Sequence, residues 1–318
     1  MALDPLIAPL VHDHQPGARS YDEFIEPEPD IAHVHQETVL PDGFAVRIYR
    51  RKPTGLAGAL LWYHGGGWAS GDLDSGDRRC RAIAAAADVA VINVDYRLAP
   101  EFRFPAGLED CYRALSWAVG QAGRLGFDPA RVGVGGESAG GNLAAAVALL
   151  ARERGGPPLR LQVMEIPALD LTLSSPSIEE YAEGYVLTAA ALEVYVRDYL
   201  GGHDAADPLV SPLLAGDLSG LPPALIAVAE YDPLADDGRR YARRLAEAGV
   251  PATLLDFAGH VHGSQMLTAL VPSAREWREA VISAVRDHLT TSTGSAPAGG
   301  HLVEDSAPAS GFIGGRSG

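Results

Sequence analysis

Apolar residues in this chain fall into short runs separated by longer stretches of helical spacing. The runs are Ala59 to Tyr63, Val89 to Val94, Val132 to Val134, Leu161 to Ile166, Ala224 to Ala229 and Ala252 to Phe257. Each has the length of a strand and is mostly apolar, the pattern of strands covered on both faces. Between them, apolar positions recur at helical spacing over 75–87, 106–125, 139–154, 235–248 and 273–289. Strands alternating with crossover helices of this length predict an α/β fold built on a mostly parallel, doubly wound sheet. Ahead of that alternation, Thr38 to Arg51 reads as two strands around the turn Pro41-Asp42-Gly43.

Two regions break the pattern. A helical stretch over Leu187 to Leu200, preceded by 172–185, follows a strand but leads into the Pro- and Gly-rich passage Asp207 to Pro223. It reads as a cap over the sheet, inserted at about 175–215. Residues 1–35 are rich in Pro and acid (Glu26-Pro27-Glu28-Pro29-Asp30) and read as an irregular flap joining that cap. The main domain is thus expected over 36–290. Residues 291–318 are small, polar and rich in Gly and Pro, too poor in apolar surface to offset ordering entropy, so a disordered tail is expected.

Charge and cysteine content narrow the function classes. With 25 Lys and Arg against 41 Asp and Glu, the formal net charge is −16. An acidic surface repels phosphate backbones and anionic lipid heads, which argues against nucleic-acid and membrane partners. No stretch of about 18 apolar residues is present to span a bilayer. The segment MALDPLIAPLVHDHQPG has no basic region ahead of its apolar residues and does not read as a signal peptide, so a cytoplasmic location is expected. Cys80 and Cys111 fall in predicted helices without metal-type spacing and read as reduced, structural thiols. His12-Asp13-His14 and His33-Val34-His35 only superficially resemble metal ligands, because paired histidines in an irregular flap are more often exposed.

The chemistry concentrates at strand ends. Gly136-Glu137-Ser138-Ala139-Gly140 follows a strand and opens a helix. Glycines two positions either side of a serine permit a sharp turn that a Cβ would block, and the turn presents the hydroxyl above the sheet. His64-Gly65-Gly66-Gly67-Trp68 directly follows another strand, and three successive glycines leave backbone N–H groups able to face a cleft. A serine nucleophile needs a base, and on this fold the chain order is serine, acid, histidine. Glu230 and Asp232 follow the strand ending at Ala229, and His260 and His262 follow the strand ending at Phe257. Position alone does not choose within either pair. Asp236 and Asp237 read as charges at a helix N-terminus.

These motifs resemble the hormone-sensitive-lipase family of α/β-hydrolases, which includes bacterial carboxylesterases. The resemblance spans roughly residues 35–290 and rests on HGGGW (64–68), DYRLAPE (95–101), GESAGGN (136–142), SPLLA (211–215), LPPALI (221–226), AEYDPLADDG (229–238) and GHVHG (259–263). It implies an α/β-hydrolase fold with a helical cap, Ser138 as nucleophile, Asp232 as acid and His262 as base. It further implies an oxyanion hole from the N–H groups of Gly65, Gly66 and Ala139, and no cofactor or metal. Tyr96, Arg97 and Glu101 belong to a motif read as structural. Two departures stand out: Glu137 where the family more often has Asp, and Ser264 where it often has Phe, which leaves the pocket's shape open.

The resulting expectation is a serine carboxylesterase acting on small or short-chain esters. Trp68, Tyr185, Leu187 and Tyr195 are candidate pocket residues, weighed against ordinary cap packing. A deacetylase of an N-acyl or O-acyl natural product would use the same triad. A non-catalytic small-molecule binder is the third reading, and the presence of His262 counts against it. The strand Ala252 to Phe257 is a possible sheet edge for a homodimer.

Overall fold

The computed structural model describes residues 2–12, 24–27, 30–38 and 44–290. The turn at 41–43, His14, Glu28, Pro29 and the tail over 291–318 lie outside the described residues. Eight strands form one sheet: β1 (His33–Thr38), β2 (Ala45–Arg50), β3 (Ala59–Tyr63), β4 (Ala90–Val94), β5 (Val132–Glu137), β6 (Leu161–Glu165), β7 (Ala224–Tyr231) and β8 (Ala252–Val261). The spatial order is β1-β2-β4-β3-β5-β6-β7-β8, with β2 antiparallel to both neighbours and every other pairing parallel. The helices are α1 (Ala8–His12), α2 (Asp77–Ala87), α3 (Ala106–Gly120), α4 (Ala122–Leu125), α5 (Ala139–Glu153), α6 (Pro176–Glu180), α7 (Ala189–Leu200), α8 (Ala235–Glu247) and α9 (Pro272–Leu289).

Side chains alternate across the sheet, so each central strand feeds two cores. Leu61, Tyr63, Val134 and Ile226 face Leu115, Leu143, Val147 and Leu245 of α3, α5 and α8. Leu60, Trp62, Val163 and Leu225 belong to the core that holds Ile83, Trp277 and Val281 of α2 and α9. A fully buried side chain of this size contributes about 1.5–3 kcal/mol, which is why uninterrupted apolar strands sit in the middle of the sheet.

Several elements depart from the expectation. The first strand begins at His33, before the predicted 38–51 window and inside the segment read as a flap. Its sequence HVHQET has no apolar face, so alternation did not mark it; its pairing with β2, from His33 opposite Arg50 onward, holds it. The helix expected over 106–125 divides into α3 and α4 around Gly120 and Gln121, where glycine weakens helix propagation. Strands β7 and β8 run on to Tyr231 and Val261, carrying the chain further over the sheet's C-terminal edge. Cys80 and Cys111 are buried and unbridged. Among the described residues, no group of three or more His, Cys, Asp or Glu is placed to hold a metal ion, and no helix is long and apolar enough to cross a membrane.

Candidate active site

Strand β5 ends at Glu137 and α5 begins at Ala139, so the whole turn rests on Ser138. Its φ of 54° and ψ of −117° lie where a residue with a side chain is strained, at a cost of about 1–3 kcal/mol. The flanking glycines are required by contact. A Cβ on Gly140 would lie 1.9 Å from the Tyr63 carbonyl oxygen, and one on Gly136 would lie 2.4 Å from the Gly140 carbonyl. Backbone thus packs directly on backbone where β3, β5 and α5 meet. The Ser138 N–H donates to the Glu165 carbonyl at 2.8 Å, and the Ser138 carbonyl accepts from the Asn142 N–H at 3.0 Å.

Loops after three different strands converge on this serine. Asp232, fully buried just past β7, has one carboxylate oxygen 2.7 Å from His262 Nδ1, and the other accepts the Leu234 N–H at 2.9 Å. His262 Nε2 lies 3.1 Å from Ser138 Oγ. A carboxylate can only accept, so Nδ1 carries the imidazole proton and Nε2 is left to accept from the serine hydroxyl. The other two residues from the sequence pairs are occupied elsewhere. His260 is buried between Ser264 Oγ and Ser273 Oγ, each at 2.8 Å. Glu230 accepts the Gly259 N–H at 2.8 Å.

The glycine loop after β3 is held through its carbonyls. Tyr96 Oη donates to the His64 carbonyl at 2.8 Å, and His64 Nδ1 donates to the Gly65 carbonyl at 2.7 Å. The Gly66 carbonyl accepts from the N–H groups of Ala69 and Ser70 and from Ser70 Oγ. In a trans peptide the N–H points opposite the C=O, so anchoring the carbonyls of residues 64 and 65 orients the N–H groups of Gly65 and Gly66. Burial holds the His64 ring below its usual pKa, hence neutral, and it stacks on Tyr96 with centroids 4.3 Å apart. Ala139 is the first residue of α5, so its N–H has no partner within the helix and sits at the positive end of the helix dipole.

A cavity of about 470 Å³ joins these groups: Ser138, His262, Gly65, Gly66 and Ala139 all line it. Trp68, Leu187 and Tyr195 line it too. Trp68 is buried and stacks on Tyr199 of α7 at 4.6 Å, fastening the glycine loop to that helix. Tyr185 is a correction: it is absent from this lining and packs between Tyr181 and Tyr231, with centroids 5.5 and 5.3 Å away. Its ring stacks on Tyr231 at the end of β7 and meets Tyr181 edge-on. Leu192 was missed in the sequence, although it lies one helical turn before Tyr195 and shares its face. Ile166 and Gln265, also in the lining, carry no comparable signal.

Charged groups beneath the turn form a second layer. Gln265 Nε2 donates to Glu137 at 3.0 Å. Arg79 pairs with Glu165 at 2.9 Å, both buried; burial pushes Glu165 up to about 7 against the pull of Arg79. Asp237 lies in the first turn of α8, where the sequence reading put a helix N-terminal charge. It is buried and accepts the N–H groups of Leu169 and Asp170, at 2.8 and 2.9 Å, and the Ser175 hydroxyl. It ties the loop after β6 to α8.

Comparison with known proteins places this geometry among related chains. A family model described as the alpha/beta hydrolase fold matches residues 60–266. The carboxylic ester hydrolase LipN of Mycobacterium tuberculosis is 44% identical over 251 residues, covering 77% of this chain and 67% of that protein. The ethyl acetate hydrolase of Pseudomonas putida is 43% identical over 249 residues, covering 77% and 78%. Among solved structures, the hyperthermophilic esterase of Pyrobaculum calidifontis superposes with a TM-score of 0.83 at 34% identity, covering 92% of this chain and all of that one.

Proposed function

The chain belongs to the α/β-hydrolase family, in its hormone-sensitive-lipase-like esterase group, and from that premise we propose that it hydrolyses carboxylic esters of small or short-chain acids with Ser138, His262 and Asp232 as its catalytic triad. The observation that carries this reading is the unbroken file of hydrogen bonds from Asp232 through His262 to Ser138, at 2.7 and 3.1 Å, opening on a cavity lined by Gly65, Gly66 and Ala139. Relatives named for carboxylic ester and ethyl acetate hydrolysis support the same substrate class.

In this mechanism Ser138 Oγ attacks the ester carbonyl carbon and its proton passes to His262 Nε2. Asp232 keeps the imidazole in the right tautomer and stabilises the imidazolium. The carbonyl oxygen becomes an oxyanion held by the N–H groups of Gly65, Gly66 and Ala139, each such donor contributing roughly 3–4 kcal/mol in comparable sites. His262 then gives its proton to the alcohol oxygen, the carbon–oxygen bond breaks, and the acyl group stays on Ser138. Water, deprotonated by His262, attacks the acyl carbon; the bond to Ser138 Oγ then breaks, His262 returns the proton to that oxygen, and the acid leaves.

The test is hydrolysis of p-nitrophenyl esters of graded acyl length by the wild type and Ser138→Ala. It is run in mildly alkaline buffer. The expected outcome is turnover that declines with long acyl chains and drops by at least about 10⁴-fold in the variant. Turnover that survives in Ser138→Ala would remove that residue as nucleophile and with it the mechanism.

A further inference from the structure

The glycine loop divides the catalytic cavity into two sides of different chemistry. On one side Trp68, Leu187, Leu192 and Tyr195 present apolar and aromatic surface, and the Tyr195 ring lies 2.5 Å from where a Cβ on Gly67 would sit. On the other side the lining is Ser70, Gly71, Ser75, Glu137 and Gln265. Gly65 ties this polar side together. A Cβ on Gly65 would lie 3.2 Å from Glu137 Cγ, and one on Gly71 would lie 2.8 Å from the Gly65 carbonyl oxygen. Among the described residues, the N-terminal segment contributes to neither side. It docks instead on the strand end that leads to His262, where the Asp4 N–H donates to the Gly259 carbonyl at 3.1 Å.

Glu137 stands at the polar side with one carboxylate oxygen committed and one free. Oε2 accepts from Gln265 Nε2 at 3.0 Å. Oε1 accepts from no described residue and is not sealed in the interior, so it faces the cavity that Glu137 lines. Among the described residues, no Lys or Arg lines that cavity. The His64 ring lies under the influence of Asp95, Glu137 and Asp72 together, yet burial keeps it neutral. Arg79, behind the turn, is buried and engaged with Glu165. The polar side therefore offers a negative charge with no cation in the lining to answer it.

We propose that Glu137 is a specificity-determining residue, whose free oxygen receives a protonated amine carried by the ester, so that the site favours basic esters and rejects acidic ones. The proposal rests on the hydrolase reading above. Glu137 directly precedes Ser138 and packs on Gly65, whose N–H is a proposed oxyanion donor. A group that reaches its oxygen is therefore attached within a few bonds of the reacting carbonyl. An ammonium N–H meeting a carboxylate makes a charge-assisted hydrogen bond, about twice as strong as one between neutral groups. That bond offsets the hydration the ammonium loses on entering the cavity. A carboxylate on the substrate loses the same hydration, finds no partner and is repelled. An uncharged ester is accepted but gains nothing at this side.

The experiment uses isosteric pairs at pH 7, where tertiary amines are protonated. In 2-(dimethylamino)ethyl acetate, compared with 3-methylbutyl acetate, the charge is on the alcohol. In ethyl 3-(dimethylamino)propanoate, compared with ethyl 4-methylpentanoate, it is on the acyl group. Monoethyl succinate supplies the anion. The readout is the cation-to-neutral ratio of kcat/KM in the wild type, Glu137→Gln and Ser75→Lys, so that differences in overall activity and in ester reactivity cancel between proteins. For at least one pair the ratio is expected to fall about tenfold or more in Glu137→Gln, the scale of a hydrogen bond to a charged group. The pair affected tells which portion of the ester carries the amine. Ser75 is an exposed position on the rim of the polar side. Ser75→Lys sets a competing cation there and should lower the same ratio while raising monoethyl succinate relative to ethyl 4-methylpentanoate. Ratios unchanged in both variants, or changed in Ser75→Lys but not in an active Glu137→Gln, would overturn the assignment although the hydrolase reading stands. Should Glu137→Gln lose all activity, the Ser75→Lys ratios decide, and unchanged ratios there overturn it. A wild type that cleaves none of these esters would overturn the hydrolase reading and this assignment together.

Discussion

At the scale of single residues, the site depends on groups that touch no substrate. His64 is the clearest. Its Nδ1–H holds the Gly65 carbonyl, and through one planar peptide that bond aims the Gly66 N–H. The ring has little freedom, since a Cβ on Gly71 would lie 2.3 Å from Nδ1 and Tyr96 covers one face. Replacing His64 by Leu is expected to lower kcat by about 10²–10³-fold, the size of a lost oxyanion donor, with little change in KM because the donor acts on charge that develops after binding. His64→Asn, whose amide nitrogen sits near the position of Nδ1, should recover part of the loss. Steady-state kinetics on one short-chain ester decides it: an unchanged kcat in His64→Leu would mean the peptide is held by the backbone alone.

At the scale of elements, what mattered was how far apart in the chain the partners lie. The elbow over Gly136–Gly140 and the glycine loop over 64–67 were legible because each is a local pattern whose glycines answer to nearby backbone. The parallel strands were legible because burial on both faces leaves its mark on every residue of the run. The choice of His262 over His260 was legible only through the resemblance of GHVHG to the family's motif, for the two are separated by one residue and the course of β8 beyond Phe257 decides which one reaches Ser138. The Arg79–Glu165 pair, whose partners stand 86 positions apart on α2 and β6, was not legible. That pair braces the strand whose Glu165 carbonyl holds the Ser138 N–H. Removing Arg79 leaves Glu165 without its counter-charge, so Arg79→Met is expected to cost up to about 3–5 kcal/mol in urea unfolding at pH 8, above the value of about 7 to which burial pushes Glu165. Replacing both residues with apolar ones of similar volume should recover most of that stability. A loss below about 1 kcal/mol in the single variant would show that the charge is relieved in another way.

For the molecule as a whole, stability responds to pH through groups that pull in opposite directions. Burial lowers His260 from 6.5 to about 4. Between those values the unfolded chain takes up a proton that the folded chain refuses, so this contribution is present above 6.5 and is lost as pH falls toward 4. Glu165, pushed up to about 7 by burial, works the other way, holding a proton when folded that the unfolded chain releases above about 4.5. The total curve therefore mixes both signs, and the difference between wild type and His260→Gln isolates one. Relative to the variant, the wild type is expected to lose as much as about 3 kcal/mol between pH 7 and pH 4, at 1.36 kcal/mol per unit. Denaturant midpoints at several pH values in that range measure it, and a constant difference would mean His260 titrates normally.

The docking of Asp4 on Gly259 also bears on how the protein can be handled. An affinity tag, carrier or resin joined close ahead of Asp4 therefore starts beside the strand end that leads to His262. The last helix leaves elsewhere: the Thr290 carbonyl accepts from Arg131 at 3.0 Å, beside the first residue of β5 and at the edge of the sheet remote from Ser138. A carrier attached at the end of that helix starts at the opposite end of β5 from Ser138.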